Sequence, residues 1–307
     1  MSNKPVKDLD VNSLKSTIKL IEGFEDLGGF SPVYLSKAVK ILRKMINDKD
    51  CVRWFSFVGS IISTGVRGVM SEALRRGLFH YVITTCGALD HDIARSLGEY
   101  YSGDFHVNDA ALLKTGFHRV GSVFIPQKAY GEKIEKFMQE LLEDVYSQGI
   151  KEIGTYELCR FIGERLDYRH SILRNAYEGQ VLIFVPGIMD GAVGTQLWLF
   201  SQRHRDFRLN LFKDFDKLAE IAFKMKKSGA LIVGGGISKH HLIWWAQFSG
   251  GLDYVVQLTT AVEYDGSLSG ATLSEAISWR KIKPTAEYVT VYGDATLLLP
   301  LIFASIL

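Results

Sequence analysis

The chain has 307 residues, 47% hydrophobic and 23% charged, which is ordinary globular usage and enough for one large α/β domain or two modest ones. Its formal net charge of +2, with Lys and Arg spread along the chain, argues against a nucleic-acid partner and an anionic membrane surface. Cys51, Cys86 and Cys159 are odd in number and far apart, which sets aside a disulfide framework and a metal site and fits a reducing compartment. The polar start, MSNKPVKDLD, lacks the apolar region of a secretory signal. The longest apolar run, Thr296 to Leu307, is too short to cross a bilayer and is broken by Pro300. A soluble, cytoplasmic protein is expected.

Residues 1–50 read as a helical N-terminal extension, and 51–307 as a single α/β domain with no Pro-, Gly- or Ser-rich linker. Six β-branched or aromatic runs follow in order: Trp54 to Thr64, Tyr81 to Asp92, Val181 to Gly194, Ala230 to His241, Tyr254 to Ser267 and Tyr288 to Thr296. Each opens on a short apolar stretch, as in strands buried on both faces, and ends in small and polar residues. Between them lie helical patterns. One runs from Glu132 to Gln148, with Ile134, Phe137, Met138, Leu141, Leu142 and Val145 on its apolar stripe. Another runs from Leu211 to Ser228, with Leu211, Phe215, Leu218, Ala222 and Met225 in line and Gly229 where a C-terminal glycine belongs. The stretch 107–180 has several helices and weaker strand signals and reads as an insertion or a layer over the sheet. Strand, polar loop and helix in repetition predict an α/β fold: a doubly wound, mostly parallel sheet with helices on both faces. Ligands of such sheets bind beyond the carboxyl ends of the strands, where Ser60, Ser63, Thr85, Asp90, Asp190, Lys239, His240, Asp265 and Asp294 fall. Turn-making and helix capping account for such residues in any single loop about as well.

Three motifs stand out. Gly234-Gly235-Gly236 lies between a strand and a helical pattern, but Lys239 takes the final glycine position of GxGxxG, so a tight turn explains the triplet equally well. In Lys239-His240-His241 the adjacent histidines point to different faces of a helix, so at most one faces a cleft. Glu275 and Trp279, four apart, share a helical face, and a carboxylate beside an indole suits an organic cation. Lys281 falls near the end of that helix, because Pro284 disfavours helix at Lys283. Local chemistry makes Lys281 a solvated lysine and Lys239 the more tempting nucleophile.

GGGISKHH, EYDGSLSGA and SEAISWRKI, in this order from Gly234 onward, together resemble deoxyhypusine synthase. GSIISTG (Gly59 to Gly65), TTCGALDHD (Thr84 to Asp92) and PGIMDGAVG (Pro186 to Gly194) match the family's other cleft loops, and the likeness covers roughly residues 40 to 300. The resemblance implies a Rossmann-like fold, NAD as cofactor, and transfer of the 4-aminobutyl group of spermidine to a lysine of the precursor of the hypusine-containing translation initiation factor. It implies a homotetramer with active sites between subunits. Lys281, not Lys239, matches the lysine that captures the group as an imine, and the chemistry needs its amine uncharged, with Arg280 assisting only if it points inward. His240 matches a catalytic position. Gly59, Ser60, Ile61, Ile62, Ser63, Thr85, Cys86, Gly87, Asp190, Gly235, Thr260, Ala261, Asp294 and Ala295 match NAD contacts. Asp90, His91, Gly266, Ser267, Glu275 and Trp279 match the polyamine site. His91, Thr195 and Leu268 stand where the eukaryotic pattern has acids, and Arg280 where it has glycine; this variant resembles the archaeal branch. Homospermidine synthase-like transfer to a free diamine, and a non-catalytic NAD-binding relative, are the alternatives.

Overall fold

The computed structural model describes residues 5–10 and 14–307. All six predicted strands form: β1 (Cys51–Phe57), β2 (Tyr81–Ile83), β3 (Leu182–Phe184), β4 (Lys227–Val233), β5 (Leu252–Thr259) and β6 (Ile282–Tyr292). Five helices matter below: α1 (Phe30–Asn47), α2 (Cys86–Leu97), α3 (Ala192–Arg203), α4 (Gly236–Ala246) and α5 (Ala295–Ile306). The chain gathers into two compact units, one made of the segment ending at Phe57 with Leu78–His80 and Leu218–Leu307, the other of Val58–Gly77 and Tyr81–Lys217.

In the first unit the strand order is β6-β5-β4-β1, every pair parallel. Consecutive side chains of a strand face opposite ways. Trp54 meets Met225, with Nε1 3.4 Å from Sδ, while the next residue, Phe55, stacks on Phe79 at 4.7 Å and meets Phe303 of α5 edge-on. The sheet is therefore packed on both faces, and β4 is buried from Ser228 to Val233. Helix α1 buries Leu35, Ala38, Leu42 and Met45 at helical spacing. Burying each Leu or Met contributes about 1.5–3 kcal/mol.

Met45 also corrects the sequence reading of Gly229. The helix of Leu211–Lys224 stops earlier than expected, and Gly229 lies inside β4, where a Cβ would come 2.7 Å from Met45 Sδ. Gly229 is small for close packing, not for capping. Of that helix's predicted stripe, Leu218, Ala222 and Met225 are buried, but Leu211 and Phe215 are exposed. The C-terminal apolar run is the core helix α5, burying Leu298, Leu299, Ile302 and Phe303. Among the described residues no helix is long and apolar enough to cross a membrane.

In the second unit β2 pairs in parallel with β3. The helix Glu132–Ser147 buries all six residues expected of it. A small antiparallel sheet (Tyr101–Ser102, Val123–Pro126, Phe117–Val120) lies where only weak strand signals were legible. Its longest strands have four residues, too few to display a period, and its hairpin turns at Gly121, φ +58°. Asp92 ties this unit together. Its carboxylate accepts from Arg67 Nη1 (3.0 Å), Ser171 Oγ (2.7 Å), Ile172 N (3.0 Å) and Leu173 N (2.9 Å). The last two are orphan donors at the start of the helix Ile172–Glu178. Arg67 is itself buried and lies over the Tyr168 ring at 4.8 Å.

Candidate active site

Lys281 is not a solvated helix-end lysine. The helix carrying Glu275 is a single turn, Glu275–Ser278. It closes with Arg280 N donating to Ile277 O (2.9 Å) and Lys281 N to Ala276 O (3.0 Å), Arg280 taking φ +57°. This is the left-handed C-terminal motif that usually employs glycine. The Arg280 side chain is exposed, so it does not assist Lys281 from within. Past this reversal Lys281 immediately precedes β6, with only 7% of its surface exposed.

Around its amine stand three rings. His240 Nε2 is 3.5 Å from Lys281 Nζ, and the Trp244 and Trp279 ring centres are 5.6 and 5.3 Å away. His240 and Trp244 share one face of α4, their rings stacked at 6.0 Å. His241 turns to Trp245, whose Nε1 donates to it at 3.3 Å, so one histidine of the pair faces the amine, as anticipated. Burial, and then the Lys281 charge, hold the His240 imidazole below its usual 6.5. At neutral pH it is an unprotonated base within reach of the amine.

Lys239 has a different task. It is 2% exposed, and its Nζ donates to Gln257 Oε1 (3.1 Å), Leu268 O (2.9 Å) and Ala271 O (2.6 Å). Burial draws this amine down to about 8, while the three oxygens work to keep its proton. Gln257 Nε2 and Thr259 Oγ1 both donate to Ser269 O, at 3.0 and 3.1 Å. The loop bearing Gly266 and Ser267 is thereby clasped to the glycine turn, where a Cβ on Gly235 would lie 2.3 Å from Ser269 Cα. Gly266 and Ser267 themselves are exposed.

Two helix starts suit anionic phosphates. In the first unit α4 begins at Gly235 with no side-chain cap, and Gly236, φ +62°, has open space where a Cβ would stand. In the second, Thr85 precedes α2 without capping it, because its Oγ1 accepts instead from Gly59 N at 3.0 Å. Free N–H groups and the helix dipole at such starts attract phosphate, and both follow strand ends, where a dinucleotide belongs. Gly59 has no room for a side chain, since a Cβ would be 2.5 Å from Ala88 N. Ile61, Ile62 and Ser63 are buried, leaving Ser60 and backbone to meet a ligand. Asp190 and Thr260 are exposed, and Ala261 N donates to Thr259 Oγ1 at 3.1 Å. Asp294 caps α5 ahead of Ala295, accepting from Thr296 N (2.9 Å) and Oγ1 (2.6 Å).

Asp90 and His91 lie in a buried cluster of the second unit. Asp90 is 1% exposed and accepts from Tyr130 Oη (2.9 Å), Ala192 N (3.1 Å) and Val193 N (2.9 Å), the last two at the start of α3. Burial raises its pKa above the usual 3.8 against the pull of these donors. Gly191 leaves room for it, since a Cβ there would be 2.4 Å from Asp90 Oδ2. The buried Cys86 thiol is pushed up to about 12, which leaves it inert near Gly87. His91 Nδ1 is 3.0 Å from Tyr100 Oη, and burial holds its ring down to about 4. Of the substituted acidic positions, Thr195 is exposed and donates to Gly191 O at 3.0 Å, and Leu268 is exposed.

In the first unit the structure thus assembles Lys281, His240 and Trp279, and adds Trp244, which sequence reasoning missed; in the second it adds Tyr130 beside Asp90, also missed. The spacing of four between His240 and Trp244 was the available signal.

Comparison with known proteins shows the family. The family model described as deoxyhypusine synthase matches residues 19–306. A probable deoxyhypusine synthase of Picrophilus torridus is 47% identical over 304 residues, covering 99% of this chain and 97% of that protein. One of Ignicoccus hospitalis is 46% identical over 309 residues, covering 99% and 96%. A crystal structure of an Entamoeba histolytica protein bearing the same family name superposes with TM-score 0.69 at 19% identity, covering 98% of this chain and 96% of the other, a likeness of fold. The chain belongs to the deoxyhypusine synthase family, whose activity is NAD-dependent aminobutyl transfer.

Proposed function

We propose that this chain moves the 4-aminobutyl group of spermidine through Lys281 to a lysine of the hypusine-containing translation factor precursor. The observation that carries the reading is a buried lysine amine 3.5 Å from an unprotonated imidazole and flanked by two indoles. The chemistry NAD would supply when bound is a hydride acceptor for the carbon beside the secondary amine of spermidine, and a hydride donor for the final product imine. Each unit carries a stretch suited to the phosphates of NAD: in the first the glycine turn before α4, in the second the loops at Gly59 and Thr85. His240 takes the proton from Lys281, and the freed amine attacks the imine carbon of oxidised spermidine. Diaminopropane leaves with its nitrogen protonated, and Lys281 keeps the aminobutyl group as its own imine. The acceptor lysine then attacks that carbon and displaces Lys281, which recovers its proton. Glu275 and Trp279, both exposed, would hold the cationic chain, the carboxylate by charge and the indole by its face. We place the enzyme in the cytoplasm as a homotetramer, in keeping with its family.

The test incubates the protein with NAD and labelled spermidine, with and without the translation-factor precursor, and traps imines with borohydride. Label is expected on Lys281 in the absence of precursor and on the precursor in its presence, and Lys281→Ala should lose both. Label appearing only in a free polyamine would overturn the protein acceptor.

A further inference from the structure

Trp244 stands in the middle of the lysine cluster, yet no motif singled it out. It is 41% exposed, although Leu242, Ile243, Trp245 and Ala246 around it on helix α4 are buried. It is held by His240, stacked on it at 28° between ring planes, so its face is fixed with respect to Lys281. Trp279, 62% exposed, has its ring centre 5.3 Å from the same amine. Among the described residues no carboxylate comes within ion-pair distance of Lys281 Nζ; its near polar neighbour is His240. The electrostatic surroundings of the amine are therefore two π faces, each within the 6 Å or so over which a ring attracts a cation.

A group attached to Nζ has these two rings among its immediate neighbours. A flexible alkyl chain ending in an ammonium suits such a ring twice over: methylenes lie against the indole, and the charge is attracted by its quadrupole. We propose that Trp244 is a specificity-determining residue, forming with Trp279 a two-sided aromatic slot that selects a cationic aminoalkyl chain on Lys281. The inference rests on the functional reading above. The slot attracts positive charge through the two ring faces themselves.

The experiment compares Trp244→Ala and Trp244→Phe with the parent protein on two substrates, spermidine and spermidine acetylated on the amine of its aminobutyl end. Both carry the same carbon chain, but only spermidine keeps the terminal charge on the transferred group. Trp244→Ala is expected to raise KM for spermidine about tenfold, with kcat changed less than about threefold, as for loss of uniform binding. It should shrink the preference for spermidine over the acetylated amine by a similar factor, while Trp244→Phe retains most of it. An unchanged preference in Trp244→Ala overturns the proposal, whatever happens to KM. If Trp244→Ala does not fold, Trp244→Leu against Trp244→Phe, similar in bulk and unlike in π character, decides in the same way. Absence of any Lys281 adduct in the parent protein would instead sink the functional reading.

Discussion

Asp90 and Asp92 of the second unit and Lys281 of the first are buried in opposite kinds of surroundings. In the second, Asp90 and Asp92 are sequestered and every near donor is backbone, hydroxyl, thiol or Arg67, so these carboxylates serve as caps for helices that begin far away in sequence. In the first, Lys281 is also buried, but among the described residues its neighbours are rings and its near polar group is a base. A group whose bonding capacity is filled holds structure; one left short of partners beside an open aromatic wall is available for chemistry. Burial alone does not separate the two cases, and partner count does.

The largest effect expected from this contrast is at Asp92. Asp92→Ala leaves Arg67 buried without its counter-charge and two helix N–H groups unpaired, and should cost about 3–5 kcal/mol in a denaturant unfolding experiment. A loss under about 1 kcal/mol would mean that water reaches the site and that the second unit is not held by this carboxylate.

Lys239 tests the same idea inside the first unit. Lys239→Met strips donors from Gln257 and from two loop carbonyls, at a cost of about 1–3 kcal/mol. Hydrogen exchange should rise selectively from Ser267 to Ala271, because those amides lie on the loop that the amine clasps. Uniform exchange across the unit would show that the clasp is not local.

Asp90 offers a pH signature. Its folded pKa lies above the unfolded 3.8, so its contribution to stability is fully present below 3.8 and is lost as pH rises through the folded value. Asp90→Asn does not titrate. The stability difference between parent and variant should therefore narrow as pH climbs from the acid side through that window. It should amount to about 1–2 kcal/mol where the parent carboxyl is protonated. A difference that widens with pH would mean that the ionised form is the one the fold prefers.

What could be read in the sequence was what repeats along it. Six apolar runs each gave a strand, and the helix at Glu132 followed from its stripe, because these signals are local. Gly229 could not be read correctly, since a glycine after an apolar stripe looks the same whether it ends a helix or makes room for Met45. The antiparallel hairpin around Gly121 was too short for alternation to show. Lys281 was locally indistinguishable from a surface lysine, because its burial depends on a turn that residue preferences do not favour. The shared motifs pointed to Lys281 and His240; only the fold shows the two nitrogens facing each other.

That turn supplies the finest distinction between a residue placed by chemistry and one placed by strain. Arg280 occupies φ +57°, a conformation that costs an L-residue about 1–2 kcal/mol relative to glycine. Glycine there would relieve the backbone but make the unfolded chain more flexible, at about 0.5–1 kcal/mol. Arg280→Gly should thus raise stability by a few tenths to about 1 kcal/mol, read as a small upward shift in urea midpoint at constant slope. Arg280→Val, β-branched and ill suited to this region, should shift it the other way. If glycine destabilises instead, the arginine side chain holds the turn by contacts of its own. The reversal that turns Lys281 into the protein would then depend on that side chain as well as on the backbone.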